Sequence, residues 1–124
     1  VTVQVTGLDT LVGDFTTSPE RLAVNLRKAV QVTCGKVKAD ARQRISGRKY
    51  LPRYPYSITY DTRVLPDGIE GEVGPDKALP QGPLGNIVEY GTSKNAPIPH
   101  LGPALDANAD DLVAGVEIAI RQAL

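Results

Sequence analysis

The chain has 124 residues, with 14 Lys and Arg balancing 14 Asp and Glu, so its formal net charge is zero. That length fits one domain, residues 1–124, and buries about two-thirds of its unfolded surface, enough for a core without staples. One cysteine excludes an internal disulfide framework, and one cysteine with one histidine argues against an all-protein zinc site. No run of about 18 apolar residues is present, so no membrane span is expected. No basic segment followed by an apolar block opens the chain, so a secretory leader is not expected either. Val1 leaves the true start undecided.

The zero conceals an uneven distribution. Ten cations lie between Arg21 and Arg53, with Asp40 the single anion among them, which makes that segment +9 and the remainder −9. Such a split points to a charged partner or to copies of the chain meeting head to tail.

In chain order, Val1, Val3 and Val5 alternate with polar residues, the period of a strand. Leu8, Leu11, Val12 and Phe15 fall at helical spacing. Ser18 and Pro19 open a long helix, with Ser18 suited to capping and Pro19 to the first turn. Leu22, Leu26, Ala29, Val30, Thr33, Val37, Ala41 and Ile45 form its apolar stripe, and Gly47 is its expected stop. Lys38, Arg42, Arg44 and Arg48 crowd its last turns in greater number than capping requires.

Residues 50–60 hold four of the five tyrosines, and Pro52 and Pro55 argue against a helix there. Residues 57–64 and 69–74 alternate on either side of Pro66-Asp67-Gly68, a β-hairpin signal. The Pro- and Gly-rich residues 75–86 read as a mobile loop. Ile87 to Tyr90 fits a short strand or a helical turn. A last helix is expected from near Gly102-Pro103, carrying Leu105, Leu112, Val113, Val116, Ile120 and Leu124. The fold class is α+β: a small antiparallel sheet packed with one long helix from the N-terminal half and a C-terminal helix.

The chemistry-bearing residues argue against an enzyme. Cys34 sits mid-helix, away from the helix N-termini that activate thiols, and reads as a packed small residue. His100, between Pro99 and Leu101, reads as a turn or interface residue ahead of a general base. Asp106, Asp110 and Asp111 share a helix face without a fourth oxygen ligand, so a solvated acidic face outweighs a metal site. No phosphate-binding glycine motif occurs, and no cofactor is expected. The stretch from Arg48 to Tyr56 mixes cations with tyrosines in the manner of a nucleic-acid surface. The competing reading packs the tyrosines under the sheet and turns the cations toward a neighbouring subunit, and it is favoured.

The most distinctive segment is Val88-Glu89-Tyr90-Gly91-Thr92, followed by Pro99-His100-Leu101-Gly102-Pro103-Ala104-Leu105. It resembles the signature of tailed-phage neck proteins, the minor tail or tail-completion components. There, Val-Glu-aromatic-Gly-Thr precedes a proline-rich turn and Pro-(Phe/His)-Leu-x-Pro-Ala-Leu. His100 stands where Phe is more usual, and Gly102 where Arg is common. The order of elements is similar too, including Gly7, Leu8, Asp9 and Leu11 near the start.

Physically, Gly91 permits a turn that a side chain blocks, and Glu89 and Thr92 are placed to bond free amides or, for Glu89, a helix cation. Pro97, Pro99 and Pro103 stiffen the entry to the last helix, which Leu101 and Leu105 would anchor on the sheet.

The resemblance implies a virion protein, assembled in the bacterial cytoplasm. It forms a homo-oligomeric, six-fold ring at the head–tail junction, beside connector and tail proteins. DNA would pass through the ring without sequence-specific binding. A tail-terminator ring and a small basic-helix nucleic-acid module are the alternatives. Closed rings need heterologous interfaces. Arg42, Arg44, Arg48, Lys49 and Arg53 on one side, with Asp106, Asp110 and Asp111 on the other, are the candidate contacts, and the 75–86 loop is a candidate arm.

Overall fold

The computed structural model describes residues 1–7 and 19–123. The expected turn of helix over Leu8 to Phe15, the capping role of Ser18 and the contribution of Leu124 lie outside the described residues.

Strand β1 is Thr2–Thr6 and helix α1 is Pro19–Ile45. A one-turn helix α2, Tyr54–Ser57, leads into strand β2, Ile58–Leu65, and strand β3, Gly68–Pro75. A 3₁₀ turn at Gly82–Leu84 continues into helix α3, Gly85–Tyr90, and helix α4 is Leu101–Ala123. The three strands form one antiparallel sheet in the order β1-β3-β2. The α+β expectation of a small antiparallel sheet with two main helices is therefore met.

Helix α1 organises the molecule. At 27 residues it is about 40 Å long. Its stripe of Leu22, Leu26, Val30, Cys34, Val37, Ala41 and Ile45 is fully buried or nearly so. The sheet lies on that stripe through Val3, Ile58, Ile69 and Val73. Gly47 has φ +79°, a left-handed residue just past the helix end, as a glycine stop requires. Gly71 lets β3 approach closely: a Cβ there would lie 2.4 Å from Cys34 Sγ and 2.9 Å from Val30 Cγ1. The register runs Val3 to Gly71 to Thr62 across the sheet, so the only side-chain-free residue of that row sits under Cys34.

Helix α4 packs along α1 and not on the sheet, which corrects the expected anchorage of Leu101 and Leu105. Leu101, Ala104, Ala119 and Ala123 are buried, while Leu105 packs at the edge of the core. Small residues set the spacing: a Cβ on Gly115 would stand 3.4 Å from Ala29 Cβ. Polar groups fix the register. Asn25 donates to the Ala119 carbonyl at 3.3 Å, and Asn108 donates to Asp40 at 3.1 Å and to the Ala104 carbonyl at 2.7 Å.

Two further expectations need correction. Pro55 does not prevent a helix at residues 54–57, because it occupies the first turn, where its missing N–H is unused. The tyrosines do not collect under the sheet: Tyr54 is fully buried, whereas Tyr50 is 79% and Tyr56 72% exposed. Residues 85–90 are helical, the second of the two forms expected for Ile87 to Tyr90. No helix among the described residues is long and apolar enough to cross a membrane.

Candidate functional site

The residues of the distinctive motif converge on the N-terminus of α4. Glu89, buried near the end of α3, turns its carboxylate onto the first amides of α4. Its Oε1 accepts from the His100 N–H at 3.0 Å and the Leu101 N–H at 2.8 Å, and its Oε2 from the Gly102 N–H at 3.5 Å. These are among the donors a helix cannot satisfy internally, and the positive end of its dipole favours the charge. Burial raises the Glu89 carboxyl, but the His100 and Leu101 amides, the His100 ring and the Gly102 amide outweigh it and hold it below the ordinary 4.5. The expected alternative, a pair between Glu89 and a helix cation, is not formed.

His100 is fully buried and belongs to the same network. Its Nδ1 lies 2.9 Å from the Ile98 carbonyl and 3.0 Å from Glu89 Oε1. Both are acceptors, so Nδ1 carries a proton, and Nε2 is hydrogen-bonded to the Tyr54 hydroxyl at 2.7 Å. The two rings meet edge to face, with centroids 5.3 Å apart. Burial, with the Glu89 charge adding to it, pushes the Tyr54 phenol up to about 12. The chain Tyr54–His100–Glu89 thus ties α2, the turn before α4, and α3 into one joint. Every polar atom in it has a protein partner. The arrangement is that of a structural lock.

Gly91 has φ +74°, and a Cβ would stand 2.7 Å from Pro97 N and 2.8 Å from Asn95 O. The turn it starts is closed by Thr92. That residue's amide donates to the Asn95 carbonyl at 2.9 Å, and its Oγ1 accepts from the Lys94 and Asn95 amides at 3.2 and 3.1 Å. The Ile98 amide returns to the Val88 carbonyl at 2.8 Å. Pro99 is exposed, Pro103 lies in the first turn of α4, and Tyr90 is 77% exposed. Tyr90 takes no part in the lock.

The candidate charged residues divide. Arg42 is spent within the chain: its guanidinium caps the end of β2 by donating to the Ile58 carbonyl at 3.0 and 2.8 Å. Arg44 pairs with Asp40 at 2.7 Å, and Asp111 with Lys36 at 3.3 Å. The Lys36–Asp111 pair is half exposed and contributes at most about 1 kcal/mol. Arg48, Lys49, Arg53, Asp106 and Asp110 are exposed. On α4, Asp106, Asp110 and Glu117 share one outward stripe with Val113. Among the described residues, no three His, Cys, Asp or Glu side chains gather as metal ligands. Cys34 is fully buried, and burial pushes its thiol up, as a packed and unreactive cysteine requires.

Sequence reasoning missed Gln81. Its side-chain carbonyl accepts from the Arg53 and Tyr54 amides at 2.8 and 3.0 Å, and its amide donates to the Tyr50 carbonyl at 3.0 Å. Gln81 itself holds a left-handed φ of +62°. The 75–86 segment, expected to be a mobile arm, is tied by it to the corner between α1 and α2. Only the Gly82 and Pro83 beside it hinted at a special turn.

No family model matches the chain, and no curated protein or solved structure matches it either.

Proposed function

We propose that the chain is a structural subunit of a tailed-phage virion. It forms a homo-oligomeric ring at the head–tail junction, as a neck or tail-completion component around the DNA channel. The observation that carries this reading is the behaviour of the motif residues as one unit. Val88, Glu89, Gly91, Thr92, His100 and Leu101 build a single capped joint whose polar groups bond one another. That supports a signature kept for architecture, which is what the resemblance implies.

The surface agrees with self-assembly. Acidic Asp106, Asp110 and Glu117 are carried on α4, and basic Arg48, Lys49 and Arg53 beyond the end of α1. Two different patches of opposite sign on one subunit suit heterologous contacts that close a ring. Imaging the purified chain by electron microscopy tests the proposal. Rings with an open centre are expected; a field of isolated small particles at every protein concentration contradicts it.

A further inference from the structure

The ring reading uses the cations of one corner but leaves its exposed aromatic rings unexplained. The corner joining α1 to α2 exposes Arg48, Lys49 and Arg53, and no acidic residue occurs from residue 41 to residue 60. Beside these cations stand Tyr50 and Tyr56, 79% and 72% exposed. Large aromatics at that exposure gain nothing from the core. Lys49 covers one face of the Tyr50 ring at 5.4 Å. Two clefts flank the loop, about 440 and 340 Å³ in volume, with Arg48 and Leu51 lining both. Tyr56 borders the first cleft and Tyr50 the second.

The corner is also rigidly built. Gln81 ties the Tyr50 carbonyl to the Arg53 and Tyr54 amides, and the Leu51 amide donates to the Arg48 carbonyl at 3.1 Å. Tyr54 below it is locked to His100. A fixed backbone that presents cations and ring faces loses little entropy when it binds.

We propose that this corner is a sequence-independent binding surface for single-stranded nucleic acid. Arg48, Lys49 and Arg53 meet phosphates, and Tyr50 and Tyr56 offer faces on which unpaired bases stack. Phosphates alone would need only the cations. The exposed rings specify the single strand, because a duplex keeps its base faces covered. The acidic stripe of α4 gives the chain a charge asymmetry that turns this corner toward a polyanion. The inference concerns the single chain and does not rest on the ring.

The test is fluorescence anisotropy with a short labelled oligonucleotide of mixed sequence, single-stranded and duplex, at low and moderate salt. Three phosphate contacts predict a slope of about −2 in log affinity against log salt for the single strand. Replacing Arg48, Lys49 and Arg53 together by Ala should abolish binding with the circular dichroism spectrum unchanged. The pair Tyr50→Ala and Tyr56→Ala should weaken the single-stranded probe by about fivefold or more and leave weak duplex binding unaltered. Lys77→Ala, a cation outside the corner, should change nothing. An undiminished affinity in the triple variant, or no binding by the unmodified chain at low salt, overturns the site. Equal single-strand affinity in the tyrosine variant overturns the stacking role and with it the choice of single strand.

Discussion

Glu89 is the residue on which the most depends. A charged cap contributes about 0.5–2 kcal/mol, and Glu89→Gln keeps the shape while removing the charge. Urea unfolding at neutral pH should show that loss; an unchanged midpoint would remove the cap from the account. The pH dependence has a definite sign. Because the folded-state pKa of Glu89 is depressed, its contribution is present above the ordinary 4.5 and is lost as pH falls through the lower folded value. The difference in stability between the parent and Glu89→Gln should therefore shrink in acid and be largest near neutrality. Gly91 is the second critical residue. Gly91→Val forces a branched side chain onto a φ of +74° and against Pro97 and Asn95. A loss of about 2 kcal/mol or more in stability is expected, read as a fall in the thermal midpoint. At this scale the sequence was legible where a residue acts alone. Gly91, Thr92 and buried Cys34 follow from local chemistry. The Tyr54–His100 bond and the grip of Gln81 on residues 50–54 join positions 46 and about 30 residues apart, and no local pattern encodes them.

Among the elements, helical periodicity and the Pro66-Asp67 turn placed α1, α4 and the hairpin within a residue or two of their observed ends. Each signal is short-range. The partner of α4 was not legible, because an apolar stripe states that a helix is covered without stating by what. Ala29 and Gly115 are the small residues that let α4 lie on α1. Helix α2 was missed because proline was read as a breaker at a position where it starts a turn. The contact between β3 and α1 gives a prediction at this scale. Gly71→Ala places a methyl group against Cys34 Sγ and Val30 Cγ1 and should cost about 1–3 kcal/mol. In a Cys34→Ala background the same change should cost clearly less, since the new methyl then fills the space left by sulfur. Chemical denaturation of the four proteins closes the cycle, and strict additivity would show that the helix and strand are not in limiting contact there.

For the whole molecule, the net charge of zero describes two things the structure separates. Part of the opposition is settled inside the chain, through Arg44–Asp40 and Lys36–Asp111, with Arg42 held on the Ile58 carbonyl. The remainder stays outside: the Asp106, Asp110 and Glu117 stripe on α4, and the Arg48 to Arg53 corner. The proposed ring, if held by such patches, would be weakened by screening, whereas the buried lock around Glu89 would not. The most direct measurement is native mass as a function of salt, from about 50 mM, where charges reach across an interface, to about 1 M, where the screening length falls to about 3 Å. The account predicts an integral multiple of the chain mass, near six, at low salt, and dissociation to folded monomer as salt rises. A monomer at every salt and protein concentration would contradict it.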